Sequence, residues 1–183
     1  RTGKSMGESC EDMAKQWQIR REDQDLLAYE SHQKAAAAYA RGFYSDLVMP
    51  LRGLDKDNIL RPDTSLEKLA TLKPAFDKRS GNGTLTAGNS TNLSDGASAA
   101  LMSSEAWAQA NGKEIQAYLV DAQVAAVDFV AGDGLLMAPA WAVAQLLKRN
   151  NLKLQDFDFY EIHEAFAAQV LCTLKAWESE EFC

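Results

Sequence analysis

A histidine followed directly by a glutamate, in the run HEAFA at residues 163–167, has the residue types for acid–base or electrostatic chemistry. An imidazole exchanges protons near neutral pH, and it can stabilise negative charge that develops on a carbonyl oxygen. The zinc protease motif HExxH would need a second histidine at position 167, where the chain has alanine. His163 and Glu164 are therefore candidates for proton handling or oxyanion stabilisation. From position alone, a structural role for His163, as a helix cap or a partner of buried backbone groups, is favoured.

A second stretch with possible chemistry covers residues 79–96, RSGNGTLTAGNSTNLSDG, which is dense in Gly, Ser, Thr and Asn. Such a composition is typical of a flexible linker or of a tight polar loop that binds a ligand. Composition by itself favours the linker.

The three cysteines, Cys10, Cys172 and Cys183, lie far apart in the sequence and are odd in number. No CxxC pair and no Cys/His ligand spacing accompanies them, which disfavours a structural zinc site and a disulfide framework. Cys172 follows Gln169 in a helical pattern. We predict that it packs as a small apolar side chain and is not a reactive thiolate.

Helices are the elements that the sequence predicts most clearly. The first follows Ser5, a possible N-cap. The longest ends at Gly42 and has Arg20, a poor capping residue, at its start. A capping box over 64–67 predicts a two-turn helix, and further helices are predicted over about 104–111, 136–149 and 164–177.

Two strands are predicted between the later helices, at EIQAYLVDAQVAAV (114–127) and at DFDFYEIH (156–163), which alternates and is rich in aromatic residues. Strands that alternate with helices indicate an α/β architecture. His163 would then lie where a buried strand is followed by a helix. Ligands of α/β sheets gather at such carboxyl ends of strands.

Length, composition and charge exclude several classes of protein. A chain of 183 residues with 46% hydrophobic and 25% charged residues is long enough for one domain, or for one domain and part of another. Its net charge of -7 disfavours a nucleic-acid binder. No apolar run reaches the roughly 20 residues of a membrane span, and no secretory signal is visible, so we expect an intracellular, cytoplasmic protein. Because the chain lacks an initiator Met and stops within a helical pattern, we expect it to be a piece of a longer protein.

The run EIHEAFAAQV, residues 161–170, resembles the Asn/His-Glu-Ala-Phe element of thiolases, with histidine where many thiolases have asparagine. Residues 83–99, GTLTAGNSTNLSDGASA, resemble the Thr-Ala-Gly-Asn stretch of the same family, which is followed by a short loop and Asp-Gly-Ala. The likeness extends through SMGESCEDMAKQW and LRPDTSLEKLATLKPAF and so covers nearly the whole chain. The histidine form of the element is similar to the degradative branch found with trifunctional β-oxidation complexes, which implies longer 3-ketoacyl chains.

The resemblance implies an incomplete thiolase-like α/β fold, with a helical, CoA-facing loop domain over 1–78, a closing segment of the first core domain over 79–112, and the first part of the second core domain over 113–183. It implies an acyltransferase that cleaves 3-ketoacyl-CoA with CoA to acetyl-CoA and a shortened acyl-CoA, or runs the reverse condensation. CoA would be a substrate, with no bound cofactor and no metal. Acyl-CoA and CoA would be the partners, together with further copies of the chain and a β-oxidation subunit.

The resemblance also assigns site residues. His163 would bind the substrate carbonyl as negative charge develops, and Glu164 would support that loop. The remaining candidates are Phe166 in the acyl pocket, Met6 beside the acyl-CoA tunnel, Arg61 near the CoA nucleotide and Thr91 near the pantetheine. Core packing explains Phe166 equally well, and Arg61 could be a solvated surface charge. These assignments require the element at 161–166 to lie beside the Gly/Asn-containing loop.

Several parts of a complete thiolase have no counterpart in the sequence. The upstream cysteine motif of the family, its Gly-His-Pro element and its Cys-x-Gly motif do not occur. Because covalent catalysis needs a nucleophile and a group that activates it, we expect this stretch alone to be inactive. Two alternatives stay open: a noncatalytic module that binds CoA or acyl-CoA, and a scaffold that uses the Ala-rich helix over 21–41. The second histidine, His32, is expected to be solvated or locally bonded.

Overall fold

The computed structural model describes residues 2–180 and 182, so the third cysteine, Cys183, lies outside the described residues. The described part contains helices joined by long irregular segments. Its α-helices are α1 (Met6–Gln16), α2 (Arg21–Ala40), α3 (Leu66–Ala70), α4 (Glu105–Ala110), α5 (Ala138–Asn150) and α6 (Ala167–Trp177), and a 3₁₀ turn covers Leu154–Asp156. Within the described residues, none of these helices combines the length and the apolar character that a membrane span requires.

Helix α1 begins at a capping box. The Ser5 hydroxyl accepts the backbone N–H of Glu8 at 3.2 Å, and the Glu8 carboxylate accepts the backbone N–H of Ser5 at 2.8 Å. These reciprocal bonds satisfy two donors that a helix N-terminus otherwise leaves unpaired. The cap predicted at Ser5 is confirmed, and it places Met6 in the first turn of the helix.

Helix α2 starts and stops as the sequence predicts. Arg20 at the N-cap makes no side-chain cap bond, and its guanidinium pairs with the Asp23 carboxylate at 2.7 Å. At the other end, Gly42 has a φ of 76°, which a residue without a Cβ adopts at little cost. The predicted glycine stop and the weak N-cap are both confirmed.

Three helices begin later than the sequence predicts. Helix α3 is capped by Ser65 and not by Thr64, because the Ser65 hydroxyl accepts a backbone N–H at 3.2 Å, and it covers only five residues. Helix α5 begins at Ala138, with Pro139 in its first turn, and α6 begins at Ala167. The spacing of apolar residues does not identify the residue at which the first helical hydrogen bond forms. The helices predicted from that spacing therefore begin too early.

The strands predicted over 114–127 and 156–163 do not form, which corrects the sequence-based prediction. Among the described residues, β-pairing is limited to isolated bridges. Val124 is 88% exposed, and Phe159, in the stretch predicted as a buried strand, is 89% exposed. A strand needs a neighbour that pairs with its N–H and C=O groups, and no described segment pairs with these two. His163 therefore lies in an irregular segment ahead of α6, and not at the end of a paired strand.

The hydrophobic core lies between α1 and α6, with α5 packed against α6. On α6 the core side chains are small and recur every fourth residue, which lets a neighbouring helix approach closely. The fully or almost fully buried members are Cys10, Met13 and Ala14 of α1, Ala168, Cys172 and Ala176 of α6, and Leu85, Met137 and Ala140 from elsewhere. This core fixes the start of α6 relative to α1.

Gly7 is the point where α1 approaches an aromatic pair. A Cβ on Gly7 would lie 2.1 Å from Cε1 of Phe76, whose ring packs edge-on against Phe166 at a centroid distance of 5.8 Å. Because the ring cannot move without disturbing its partner, Gly7→Ala should lower the free energy of unfolding by roughly 2 kcal/mol, although alanine favours helix. Urea unfolding measures this change.

The matched control is Gly96→Ala, because a Cβ on Gly96 would meet no other atom within 4 Å. We expect this variant to change the free energy of unfolding by less than about 0.5 kcal/mol. Equal stabilities of the two variants would show that Phe76 yields to the added methyl group.

Candidate functional site

The Gly/Asn-containing stretch is a tight loop over residues 84–91. Leu85, Thr86 and Asn89 are at most 2% exposed, and the amide oxygen of Asn89 accepts the backbone N–H of Thr86 at 2.7 Å. The linker favoured by composition is therefore wrong for this part of the stretch. Glycine, serine and asparagine serve a flexible chain and a tight turn equally well, and only the buried contacts distinguish the two.

A buried carboxylate holds the start of this loop. Glu11 of α1 is 2% exposed, and its oxygens accept the backbone N–H of Thr84 at 2.8 and 3.0 Å, the Thr84 hydroxyl at 2.9 Å and the backbone N–H of Leu85 at 3.0 Å. A buried carboxylate costs free energy unless several donors surround it. Here the donors come from the loop, so the loop and α1 depend on each other.

The middle of the loop is tied to α2 and α3 through a chain of polar contacts. Asn89 donates to the Asp25 carboxylate at 2.9 Å, and Asp25 pairs with Arg21 at 2.7 Å. Arg21 donates in turn to the carbonyl oxygen of Leu69 at 2.6 Å. Asp25 is 4% exposed, so this ion pair is shielded from water and holds its geometry well.

The end of the loop pairs with the segment that follows His163. The backbone N–H of Thr91 donates to the carbonyl oxygen of Ala165 at 2.8 Å, and the N–H of Ala167 donates to the carbonyl oxygen of Asn89 at 3.0 Å. These two hydrogen bonds bracket an antiparallel bridge between Ser90 and Phe166. The two motifs singled out in the sequence therefore lie side by side, as their assignment to one site requires.

Phe166 itself lies in the core. It is 8% exposed, precedes the first residue of α6 and packs against Phe76. It lines neither of the two cavities near the HEAF element. Core packing, the alternative considered for this residue, accounts for all of these contacts.

An apolar groove of about 640 Å³ opens beside the segment that precedes α6. His163 and Met6 both line it, and Met6 is 56% exposed at the start of α1. The walls are formed by Pro139, Val143 and Leu147 of α5, Leu154, Phe157 and Ile162 of the segment between the helices, and Trp177 of α6. An imidazole at the edge of an apolar cleft can meet a polar group on a ligand whose remainder is apolar.

A second cavity of about 550 Å³, which we call the polar pocket, is bordered by the loop at 87–92 and is lined by polar and apolar side chains alike. Arg61, Thr91 and Glu164 all line it. The predicted site residues thus form two groups: His163 with Met6 in the apolar groove, and Glu164 with Arg61 and Thr91 in the polar pocket. His163 and Glu164 are adjacent in the HEAF element, yet they line different cavities.

Arg61 is bonded to its own loop. Its guanidinium donates to the carbonyl oxygens of Asn58 and Ile59 at 2.8 Å, and its backbone N–H donates to Nδ1 of His32 at 3.3 Å. Burial, with a contribution from the Arg61 charge, lowers the pKa of His32. His32 is thus locally bonded, one of the two states predicted for it, but it also lines the polar pocket, which the sequence did not indicate.

Ser31 is a second pocket residue that sequence analysis missed. Its hydroxyl donates to the Glu164 carboxylate at 2.5 Å, and both side chains line the polar pocket. A serine in a long Ala-rich helix has no sequence feature that points to a partner so far along the chain. Only the packing of α2 beside α6 brings the two residues together.

The described residues offer neither a reactive thiol nor a metal site. Burial raises the pKa of the Cys10 thiol well above its usual range, and burial also raises that of Cys172 to about 12. Since the thiolate is the nucleophile, neither cysteine would react appreciably near neutral pH. Cys172 packs as predicted. No group of three or more His, Cys, Asp and Glu side chains within residues 2–180 and 182 could hold a metal ion.

Comparison with known proteins shows two family models that match consecutive parts of the chain. The model described as thiolase, N-terminal domain, matches residues 1–106, and the model described as thiolase, C-terminal domain, matches residues 113–181. Among solved structures, the acetyl-CoA acetyltransferase of Bacillus anthracis is similar with a TM-score of 0.80 and 35% identity, over 97% of this chain and 46% of that one.

Full-length relatives give the same result. A 3-ketoacyl-CoA thiolase of Shewanella baltica is 42% identical over 187 residues, and one of Serratia proteamaculans is 43% identical over 187 residues. Each alignment covers 99% of this chain and 42% of the relative. The chain therefore spans less than half the length of these relatives.

Proposed function

Because this chain belongs to the thiolase family, we propose that its residues form part of a site at which CoA cleaves a 3-ketoacyl-CoA to acetyl-CoA and a shortened acyl-CoA, or at which the reverse condensation occurs. One observation carries the proposal. The hydrogen-bonded bridge between the loop at 89–91 and the segment at 165–167 places an apolar groove with His163 beside a polar pocket with Thr91 and Arg61. A substrate with an apolar acyl chain and a polar CoA moiety needs both surfaces at one place.

In the proposed reaction a cysteine thiolate adds to the 3-keto carbon, and the bond between that carbon and the adjacent methylene breaks. The electron pair moves onto the acetyl-CoA fragment, whose thioester oxygen becomes negatively charged before the carbon is protonated. The shortened acyl group then passes from the cysteine to the thiol of a second CoA. His163 would donate a hydrogen bond to the charged oxygen, an interaction that can contribute about 3 kcal/mol.

The nucleophile of this reaction is neither Cys10 nor Cys172. Both side chains are fully buried, and burial raises both thiol pKa values. We therefore assign binding and charge stabilisation to the described residues and assign the attacking thiolate to none of them. The same observation favours one alternative function, a thiolase-like module that binds CoA or acyl-CoA without turnover.

The remaining proposals follow from the family. We propose the division into a CoA-facing loop domain over 1–78, a closing segment over 79–112 and a second core domain from 113 onward. We also propose that CoA acts only as a substrate, that the whole protein assembles with copies of itself and with a β-oxidation subunit, and that it works in the cytoplasm. Size-exclusion chromatography with and without a candidate subunit tests the assembly.

The function is tested on the whole protein that carries these residues. Purified protein is incubated with CoA and 3-ketoacyl-CoA substrates of increasing chain length, and acetyl-CoA is measured by liquid chromatography. We expect acetyl-CoA to form in an amount equal to the substrate consumed. Binding of CoA by calorimetry without any acetyl-CoA would overturn the enzymatic proposal and support the binding module.

Thr91 provides a test of the polar pocket. Its backbone N–H is used by the bridge, whereas its hydroxyl donates only locally, to the carbonyl oxygen of Asn92 at 3.2 Å. If the hydroxyl contacts the pantetheine, Thr91→Ala should raise the KM for CoA about fivefold, since a neutral hydrogen bond is worth about 1 kcal/mol. Thr91→Ser should retain the wild-type KM. Steady-state kinetics with varied CoA measures both.

Thr71→Ala is the matched control for this experiment. The Thr71 hydroxyl also donates to a nearby backbone carbonyl, that of Lys68, at 2.7 Å, but Thr71 does not line the polar pocket. Its KM for CoA should not change. If both alanine variants raise the KM alike, the effect comes from the loss of a local hydrogen bond and not from a contact with CoA.

A further inference from the structure

The hydrogen bond between Ser31 and Glu164 joins two parts of the chain that are 133 residues apart. Its hydroxyl donor lies in the middle of α2, and its carboxylate acceptor belongs to the residue next to His163. Hydrogen bonds to an ionised acceptor are roughly twice as strong as those between neutral groups, although water reaches the exposed Glu164 and weakens this one. The contact therefore constrains the chain directly beside the proposed catalytic imidazole.

The chain near His163 has few other constraints. From Ala165 onward the backbone is held by the loop, through Thr91 and Asn89. Within residues 2–180 and 182, no backbone hydrogen bond involves residues 158–164, and no hydrogen bond is made by the His163 ring. The Tyr160 hydroxyl donates to the carbonyl oxygen of Leu154, and the exposed Glu164 carboxylate, one residue from His163, is the nearest side chain along the chain that a hydrogen bond holds.

Helix α2, which carries Ser31, is held to other parts of the chain at two places. Its first turn is held through Arg21 and the buried Asp25, and its middle turn holds the loop before α3. There, His32 accepts the backbone N–H of Arg61 at 3.3 Å, and Gln33 donates to the carbonyl oxygen of Pro62 at 3.2 Å. Ser31 belongs to the same turn, so the backbone that carries its hydroxyl is held by these contacts.

We propose that Ser31 is a positioning residue for the reaction proposed above: by holding Glu164 it fixes the direction in which His163 faces the apolar groove. This inference rests on the proposed function. A hydrogen bond that stabilises an oxyanion depends steeply on direction, so an imidazole on a loose segment would lose part of its effect. Ser31 would act on turnover through Glu164, without contacting the reacting atoms.

The test is a double-mutant cycle on the whole protein, with Ser31→Ala, Glu164→Ala and the double variant. We expect Ser31→Ala to lower kcat about tenfold and to leave the KM for CoA within about twofold of wild type, a size consistent with one charge-assisted hydrogen bond. In the Glu164→Ala background, Ser31→Ala should have no further effect on kcat, since residues that act through one contact are not additive. Ser31→Thr keeps a hydroxyl and should restore kcat to within about threefold.

Ser103→Ala is the matched control, because the Ser103 hydroxyl is exposed and donates only to the carbonyl oxygen of Ser104. It should leave kcat and KM unchanged. The inference is overturned if the wild type turns over and Ser31→Ala equals it, or if Ser31→Ala lowers kcat equally in the Glu164→Ala background. A wild type without thiolysis overturns the proposed function instead, and the role of Ser31 falls with it.

Discussion

Replacing His163 with alanine in the whole protein should lower kcat for thiolysis about 100-fold and leave the protein folded. The proposed hydrogen bond from the imidazole to the developing negative charge is worth about 3 kcal/mol, and each 1.4 kcal/mol corresponds to a factor of ten. Folding should persist because His163 is exposed and takes part in no hydrogen bond among the described residues. Steady-state kinetics and circular dichroism measure the two quantities.

Two further variants sharpen this result. His163→Asn places an amide donor where many thiolases have asparagine, so it should retain much more activity than the alanine variant. Asp158→Ala changes an exposed residue of the same irregular segment that does not line the apolar groove, and it should be as active as wild type. An alanine variant at position 163 with wild-type turnover would refute the oxyanion role of the imidazole.

Glu11→Ala should lower the free energy of unfolding by about 3 kcal/mol. The substitution leaves the two backbone N–H groups of Thr84 and Leu85, and the Thr84 hydroxyl, without their acceptor, and each buried unpaired donor costs about 1 to 3 kcal/mol. Water that enters through the neighbouring cavity, which Glu11 lines, keeps the loss below the sum of these costs. Urea unfolding followed by fluorescence measures it.

Controls for this prediction lie on the same helix. Glu11→Gln retains one acceptor oxygen and should lose roughly half as much stability. Asp12→Ala removes the next carboxylate, which is exposed and pairs with Lys4 at 2.5 Å, and should change the free energy of unfolding by less than about 1 kcal/mol. If Glu11→Ala is no less stable than Asp12→Ala, the carboxylate does not anchor the loop.

The chain is similar in overall structure to a solved acetyl-CoA acetyltransferase, although two predicted strands do not form. With a TM-score of 0.80 to the Bacillus anthracis enzyme, the chain has the predicted thiolase-like α/β fold, incomplete relative to that protein. The stretches at 114–127 and 156–163 nevertheless pair with nothing among the described residues. A strand is a property of two segments, so an alternating pattern in one segment predicts an exposed or buried face but cannot supply the partner.

The polar loop shows where composition misleads. Residues 79–96 have the composition of a linker, yet Thr86 and Asn89 are almost fully buried. The residues that decide the outcome lie elsewhere in the chain, since Glu11 and Asp25 supply the acceptors for the loop. The loop is held by hydrogen bonds from its own donors to carboxylates that are distant in sequence. The local sequence of the loop does not show that these bonds form.

By itself, the sequence determined the helices with strong end signals and the family. Ser5 and Gly42 mark helix ends through bonds and backbone angles within a few residues, so local chemistry suffices to predict them. The HEAF and Thr-Ala-Gly-Asn motifs were recognisable for the same reason. Tertiary structure alone decided that these motifs lie side by side, that His163 and Glu164 face different cavities, and that Ser31 contacts Glu164. Such contacts join residues far apart in sequence, and they form only after helices α1, α2 and α6 have packed.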